Sequence, residues 1–351
     1  MMIIGCDFHT RYQQIAMAED STGELLLERR LEHQNGEAQA FYRNLPASVR
    51  VGIEATGPIH WFERLLTDLG HELWIGDSAK IRASEVRKQK TDERDARLIL
   101  DLLLAKRFPK IWVPTPAERD LRQLLWHRHK LVCLRTMLGN QLHALALSQG
   151  LCRKKKLFTK NGRSELRALP LHPWAGRRRE ELLKLLAQLE PPIAELDRAV
   201  LQEAQRRDDT VLLMTHPGIG PVTSLAFVLT IGPIARFKCS KKIASYLGLN
   251  PSEESSGGRR RLGAISKQGN TMMRWLLIET VHHAVRQDPE LRQDYQRLKF
   301  RRGHAVAKVA IARKLAVRMY WMLRSGAGYA QLVRRQGSPG ATLVDASPSL
   351  G

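Results

Sequence analysis

Four carboxylates in the first hundred residues have the types and spacing of a metal site. Asp7 ends a short apolar run, Glu54 ends another, and Asp92 and Asp95 lie three residues apart in KTDERDARLI. On a helix that spacing points both side chains from one face, and adjacent strands would bring Asp7 and Glu54 together. Converging carboxylates repel one another unless cations lie among them, and oxygen ligands favour Mg²⁺ or Mn²⁺.

Two such ions about 4 Å apart are the usual means of phosphodiester cleavage or transfer. The four carboxylates therefore form a candidate catalytic centre for nucleic-acid chemistry. The alternative is that each is an ordinary solvated charge at a strand end or on a helix face.

A second candidate for chemistry is the segment SSGGRRR at residues 255–261. A serine before two glycines can be presented on an open loop, and the three arginines supply positive charge for phosphate. Such a serine could attack phosphorus if a base or a metal assisted its deprotonation. No histidine nearby supplies that base, so a flexible basic loop that only binds phosphates is the alternative.

Other segments have the composition of nucleic-acid contacts. The turn HPGIGP at 216–221 could cradle a phosphate with backbone amides, as a helix-hairpin-helix element does, or simply cap a helix. Trp275 could stack on a nucleic-acid strand and the basic stripe between Arg286 and Arg302 could follow its backbone. The commoner outcome is that such a tryptophan belongs to the core and that the charged residues form a solvated helix face. The predicted nucleic-acid-binding residues are Arg153, Lys154, Lys155, Lys156, Gly218, Gly220, Arg259, Arg260, Arg261 and Lys267.

The elements that must position the carboxylates follow from the hydrophobic pattern of residues 1–100. Short apolar runs at 2–7, 13–18 and 24–31 predict three strands, followed by helix, strand, helix, strand and helix. That order suits an α/β sheet with an antiparallel meander first and crossover connections later.

From Pro116 onward the pattern becomes helical, so the predicted fold class is α/β plus α. Leucines at three- and four-residue spacing predict one long helix, and a second runs from about Arg177 to Arg207, with Pro191-Pro192 expected to kink or break it. A basic loop joins the two, which predicts an antiparallel coiled-coil arm or, alternatively, two core helices of a bundle. The expected divisions are 1–112, an arm at 113–208, a third unit at 209–325, and a disordered tail at 326–351.

The charge distribution narrows the class of partner. The chain of 351 residues carries a net +22, yet residues 1–100 hold 13 basic and 16 acidic side chains against 44 and 19 in residues 101–351. An excess of this size favours a polyanion, usually nucleic acid. No apolar stretch has the length of a membrane span, the amino terminus lacks the basic region of a signal peptide, and the four unpaired-looking cysteines indicate a cytoplasmic protein.

The motifs GCDFHT, GIEATGP, KTDERDARLI, PGIGPVTSLAFVLTIG and YLGLNPSEESSGGRRRLGAISKQGN occur in this order. Together they resemble the DEDD-plus-serine transposases of the IS110 insertion-sequence family, over nearly the whole chain. The resemblance implies an RNase H-like (RuvC-like) amino-terminal domain whose metal ligands are Asp7, Glu54, Asp92 and Asp95. It also implies a helical arm and a carboxy-terminal transposase domain with Ser256 as the nucleophile, Ser255 being the adjacent alternative.

The same resemblance implies a function. Such proteins are understood to be recombinases that exchange DNA strands under the guidance of a structured noncoding bridge RNA, with Mg²⁺ or Mn²⁺ at the DEDD site. The active site is thought to combine the metal site of one protomer with the serine of another, so a homo-oligomer, dimer or tetramer, is expected. The alternative function is a Holliday-junction resolvase-like endonuclease in which Ser256 only holds phosphate.

Overall fold

A computed structural model describes residues 1–55, 57, 59–84, 91–153, 155–255, 259 and 261–336 of the chain. These residues form two compact units, Met1–Val113 and a second that begins at Pro114. Within the described residues, no helix combines the length and the apolar character that a membrane crossing requires.

The first unit is built on a five-stranded mixed sheet of order β3-β2-β1-β4-β5. Its first three strands form the predicted antiparallel meander, and β4 and β5 then pair in parallel with β1 and with each other. This confirms the predicted α/β sheet. The strands are β1 (Met2–Phe8), β2 (Tyr12–Glu19), β3 (Leu25–Glu32), β4 (Val49–Glu54) and β5 (Glu72–Gly76).

Helices cover both faces of this sheet. Residues Ile4, Cys6 and Phe8 pack on one face beneath helices α1 (Glu37–Arg43) and α2 (His60–Asp68). Alternate side chains of the same strands, beginning with Ile3, face a separate cluster formed by α3 and α4. These helices are α3 (Ser78–Ala83) and α4 (Asp92–Leu104). The alternation assigns every odd-numbered residue of β1 to the α4 face.

The second unit begins with two long paired helices, α5 (Pro116–Ser148) and α7 (Pro173–Gln205), with the short α6 (Lys160–Ala168) between them. Arg128 on α5 pairs with Asp197 on α7 at 2.7 Å, and Arg178 near the start of α7 donates to Gln141 at 2.9 Å. These pairings run in opposite directions along the two helices, so they are antiparallel, as predicted.

A kink or a break is expected at Pro191-Pro192, and the break does not occur: both prolines lie inside the continuous helix α7. Leu186 and Ile193, on either side of them, are both buried. Burial of this helical face on both sides of the prolines compensates for the backbone hydrogen bonds that they remove.

The remaining helices pack around one core. Helix α9 is buried over every residue from Thr223 to Ile231. This burial explains why its sequence is apolar on all sides except for the small polar residues Thr223, Ser224 and Thr230. Leu125 of α5 and Val200 of α7 belong to this same core. The division of this unit into an arm and a carboxy-terminal domain at residue 208 remains a prediction. Its other elements are α8 (Asp208–Met214), α9 (Pro221–Ile231), α10 (Ser240–Tyr246), β6 (Pro251–Glu253), β7 (Leu262–Ile265), α11 (Thr271–Gln287), α12 (Pro289–Arg302), α13 (His304–Ser325) and α14 (Tyr329–Gln336).

Helix α14 corrects the expected start of the disordered tail at residue 326. Tyr329 donates a hydrogen bond of 2.6 Å from its hydroxyl to Asp288, and its backbone N–H donates to Thr215 Oγ1 at 3.0 Å. Leu332 is buried. The composition of the segment is polar overall, but these few contacts attach its first eleven residues to the core. The rest of the expected tail, 337–351, lies outside the described residues.

Candidate metal centre and serine loop

The sheet places Asp7 and Glu54 at the same edge. Strands β1 and β4 run in parallel with Cys6 opposite Ile53, so the next residues, Asp7 and Glu54, lie side by side, at the last but one residue of β1 and the last residue of β4. Both follow the alternation that directs their side chains to the α4 face. The juxtaposition predicted from the two strand ends is therefore present.

Two glycines allow helix α4 to lie close to these strands. A Cβ on Gly5 would stand 2.3 Å from the carbonyl oxygen of Ala96 and 2.4 Å from the amide nitrogen of Leu100. A Cβ on Gly52 would meet the side chain of Leu103 at 2.6 Å. Only glycine permits so close an approach of helix to strand, and the approach brings the first turn of α4 to the strand ends.

Helix α4 begins with the carboxylates of the motif KTDERDARLI. Thr91 caps the helix by accepting a hydrogen bond from the N–H of Arg94 at 3.4 Å. Asp92 and Asp95 follow in the first turn, where the positive end of the helix dipole favours negative charge. Both are half-buried.

Asp7 and Asp92 meet around a histidine. His9 Nε2 lies 3.0 Å from Asp7 Oδ2 and 3.6 Å from Asp92 Oδ1. Tyr12 donates its hydroxyl to Asp92 Oδ2 at 2.8 Å. One potential ligand atom from each of Asp7, His9 and Asp92 lies within 4.8 Å of the others. We call these three residues the metal-binding cluster.

The electrostatics of the cluster favour a cation. Burial raises the pKa of Asp7 above its ordinary value, nearby His9 opposes that rise, and the charges of Asp95 and Asp92 add to it. Asp95 is therefore close enough to Asp7 to act on its charge. Carboxylate oxygens with one imidazole nitrogen suit a divalent cation, and the residues present fit such an ion.

Glu54 lies at the margin of this arrangement. Its Oε1 is 3.8 Å from Arg82 Nη2, and its side chain is about one-third exposed. It does not belong to the three-residue cluster found among the described residues. Residues 56, 58 and 85–90, which flank it and precede α4, lie outside those residues.

His9 and Tyr12 are functional candidates that sequence reasoning missed. Their rings lie 4.6 Å apart, and the guanidinium of Arg30 stands 3.6 Å above the Tyr12 ring. The available signal was the position of His9 two residues after Asp7 in GCDFHT. The role of Tyr12 could not be predicted from the sequence, because it depends on how the tight β1–β2 connection places Tyr12 beside Asp92 of α4.

The serine segment lies at the end of a two-stranded hairpin. Strands β6 and β7 pair antiparallel, and residues 254–261 connect them. Ser255 is exposed, donates to Glu253 Oε1 at 2.8 Å and accepts from the N–H of Arg261 at 3.2 Å. Ser256, the predicted nucleophile, lies outside the described residues, as do Gly257 and Arg260. The hydroxyl of Ser255 is thus engaged in holding the base of the loop.

The turn between α8 and α9 contains Gly218 at φ +86°, and a Cβ there would stand 2.6 Å from the amide nitrogen of Ala284. Gly218 is therefore required for packing against α11. A Cβ on Gly220 would meet no atom within 4 Å in the part of the chain that the structure describes. The helix-hairpin-helix element and phosphate binding at this turn remain predictions.

The described residues of the basic connector, within 153–156, include one cation that makes an ion pair and two that face solvent. Arg153 makes a two-pronged ion pair with Glu165 at 2.6 and 3.0 Å. Lys155 and Lys156 are exposed, and Lys154 lies outside the described residues. Lys267, with φ +56°, and Arg259 are exposed near the serine hairpin. Nucleic-acid binding by these residues remains a prediction.

Comparison with known proteins agrees with this geometry. Residues 4–149 match a DEDD transposase family model of the IS110 type, and residues 211–296 match the model described as Transposase IS116/IS110/IS902 family. A DEDD transposase is thus the class that the carboxylate-bearing unit defines. The chain belongs to the IS110 family of insertion-sequence transposases, and membership implies DNA binding and a divalent metal.

The relatives extend over most of the chain. A probable family 20 transposase of Pseudomonas aeruginosa is 31% identical over 312 residues, which is 84% of this chain and 89% of that protein. The transposase for insertion sequence element IS1111A of Coxiella burnetii is 28% identical, over 85% of this chain and 83% of its own length.

Proposed function

We propose that this transposase cleaves and exchanges DNA strands through a serine nucleophile, Ser256, assisted by a divalent cation bound by the DEDD carboxylates. The observation that carries the proposal is the metal-binding cluster, in which Asp7, His9 and Asp92 converge from a strand end, a turn and a helix start. Asp95 and Glu54 complete the carboxylate set. Mg²⁺ is the expected ion, with Mn²⁺ as a substitute.

In the proposed step, Ser256 Oγ forms a bond to phosphorus while one phosphodiester P–O bond breaks. The serine proton passes to solvent or a base, and the departing strand oxygen takes up a proton. A bound divalent cation supplies positive charge that stabilises the developing oxyanion. The arginines of residues 259–261 would contact the remaining phosphate oxygens. The serine is proposed to act at the metal site of another protomer, within a dimer or tetramer.

Ser256→Ala tests the nucleophile, with Ser255→Ala as its matched neighbour. We expect a covalent protein–DNA adduct with wild-type protein and none with Ser256→Ala, because the hydroxyl that bonds phosphorus is absent. Ser255→Ala should retain the adduct at a reduced level, because it loosens the loop base without removing the nucleophile. The adduct is measured by denaturing electrophoresis of labelled DNA.

The second candidate function is the resolvase-like endonuclease, in which the carboxylates activate water and Ser256 only binds phosphate. The convergent cluster alone is compatible with it. DNA nicking that survives in Ser256→Ala without any adduct would favour this function over serine chemistry. Loss of all cleavage in Asp7→Ala is expected under both.

We further propose that a structured noncoding RNA guides the reaction. The family resemblance and the exposed Lys155 and Lys156 of the connector support this partner. Protein purified without nuclease from cells that carry the complete element should contain one RNA of defined length. Recovery of protein free of RNA, or with random fragments, would contradict guidance.

A further inference from the structure

The carboxyl end of α12 presents an aromatic side chain to solvent. Phe300 is 94% exposed, the highest value among the large apolar side chains of the described residues. Gly303 ends the helix immediately afterwards, and α13 begins at His304. We call residues Lys299, Phe300, Arg301 and Arg302 the α12 tip. Val306, in the first turn of α13, is 53% exposed.

The charged residues at the two ends of α12 differ in their partners. Near its start, Glu290 and Asp294 each bind Lys314 on α13, at 2.5 and 2.6 Å. Arg297 is also satisfied, by Asp294 at 2.7 Å. At the α12 tip, the three cations are exposed, and none has an ion-pair or side-chain hydrogen-bond partner among the residues that the structure describes. Phe300 thus lies in the same last helical turn as three cations that have no such partner among the described residues.

Ordinary helix chemistry explains only part of this arrangement. Cations in a last turn complement the helix dipole, and a single exposed apolar residue is common on protein surfaces. Neither accounts for an almost fully exposed ring in the same helical turn as three cations that lack a partner among the described residues. Cations that follow a phosphate backbone, with an aromatic face against a base, are the combination that single-strand binding sites use.

The geometry favours an unpaired strand over a duplex. In a duplex, both faces of each base are covered by its neighbours, so a ring at a helix end can stack only where a base is unstacked. DNA is favoured over RNA because family membership implies DNA binding. The α12 tip also lies beyond residues 211–296 matched by the carboxy-terminal family model.

We propose that the α12 tip binds single-stranded DNA, with Lys299, Arg301 and Arg302 on phosphates and the Phe300 ring against a base. The inference rests on the proposed function in one respect, that strand exchange produces unpaired nucleotides. The contact itself involves no catalytic residue.

The test uses the full-length protein and a short oligodeoxythymidine, its duplex, and the corresponding oligouridine. Phe300→Ala and Phe300→Leu should weaken single-strand binding by about 5- to 150-fold, because both remove the aromatic face. Phe300→Trp should retain binding. Duplex affinity should change by less than about twofold, and unfolding midpoints should be unchanged since the side chain is exposed.

Two further measurements locate the contact. Photo-cross-linking of an iodouracil-substituted oligonucleotide, followed by mass spectrometry, should modify Phe300. Replacing both Arg301 and Arg302 with Gln should reduce the slope of log affinity against log salt by about 1.4, or roughly 0.7 for each phosphate contact. Val211→Ala, another exposed apolar residue but one that follows Asp208 and Asp209, should change neither result.

The outcomes separate this inference from the proposed function. Single-strand affinity unchanged in Phe300→Ala, with the Ser256-dependent adduct intact, overturns the inference alone. Loss of duplex and single-strand binding in equal measure, or a Phe300-dependent preference for RNA, also overturns it. If wild-type protein forms no adduct while Phe300 still cross-links, the proposed nucleophile fails and the inference stands.

Discussion

Single residues position the metal-binding cluster before any cation binds. His9 lies between Asp7 and Asp92, and Tyr12 donates to the oxygen of Asp92 that His9 does not approach. The hydrogen bond to Asp92 raises the pKa of Tyr12, so the phenol stays protonated as a donor. The ligands are therefore largely oriented, and a cation would find them with little rearrangement.

Replacing Asp7 with Asn tests the cation site. The raised pKa of Asp7 means that its ionised form is disfavoured in the folded protein, so Asp7→Asn should unfold at a temperature equal to or above that of the metal-free wild type. Saturating Mg²⁺ or Mn²⁺ should stabilise only the wild type, by about 2.7 kcal/mol at a hundredfold excess over Kd. Thermal unfolding with and without metal measures both effects.

Asp101→Asn is the matched control, because Asp101 is exposed on the same helix α4 and lies outside the cluster. It should keep the full metal-dependent stabilisation. Equal stabilisation of wild type and Asp7→Asn by the cation would show that the ion binds elsewhere.

Residue types and spacing were enough to propose the four carboxylates as ligands, but not to show which of them lie closest together. Asp7, Asp92 and Asp95 could be proposed because strand ends and i, i+3 spacing are local features. His9 and Tyr12 could not, because their roles depend on the path of one short turn and the position of α4. The marginal position of Glu54 likewise depends on where Arg82 lies.

At the scale of elements, the packing of α4 on β1 decides whether the cluster exists. Gly5→Ala would place a methyl group against the backbone of α4, which cannot move aside as a side chain can. We expect a loss of about 1–3 kcal/mol of stability. Because α4 must shift and carry Asp92 with it, metal-dependent stabilisation should also weaken, as titration in thermal unfolding would measure.

Gly57→Ala provides the comparison, since a Cβ there would meet no atom of the described residues within 4 Å. It should leave unfolding and metal response nearly unchanged. A Gly5→Ala protein as stable and as responsive to metal as this control would contradict the close-packing argument.

The packing of α14 against His216 makes the stability of the folded protein depend on pH. Burial lowers the pKa of His216 from 6.5 to about 4, and its ring lies 4.5 Å from that of Tyr329. The unfolded chain then binds a proton that the folded protein does not, so stability falls as the pH falls from about 6.5 to about 4. Because each pKa unit corresponds to about 1.4 kcal/mol, the difference between the two pKa values of His216 limits this loss of stability to about 3 kcal/mol. His216→Phe should flatten the loss in denaturant unfolding between these pH values.

The contribution of Asp288 to the pH dependence of stability can be separated from that of His216. Burial alone would raise its pKa, but hydrogen bonds from Tyr329, the N–H of Leu291 and Arg318 hold it below its ordinary value. Its contribution is therefore lost only in more acidic solution, below about pH 4. His172→Gln, at an exposed histidine, should keep the wild-type slope. An unaltered slope in His216→Phe would exclude His216 as its cause.

Element order could be predicted because hydrophobic periodicity is a local signal. The five strands and the long helices were predicted from it, whereas two features were not. Helix α7 continues through Pro191-Pro192 because buried side chains lie on both sides, and α14 forms because Tyr329 reaches Asp288. Both depend on tertiary contacts that no local window contains.

At the scale of the whole molecule, the two units differ in net charge and in the role that we propose for each. Residues 1–113 hold 16 basic and 17 acidic side chains, and residues 114–351 hold 41 and 18. A near-neutral unit leaves its carboxylates available to a cation, since added lysine or arginine would compete with it. The basic unit contains the α12 tip, the connector and the serine hairpin, so most of the attraction for polyanions lies there.

The central position of β1 in the sheet has a consequence for biosynthesis. Asp7 is translated before the elements that its strand needs, β4 beside it and α4 above it. The ribosome must therefore add 85 more residues after Asp7 to reach Asp92. A nascent chain shorter than this lacks the Asp7–Asp92 pair, so the proposed cation site cannot form until α4 has emerged.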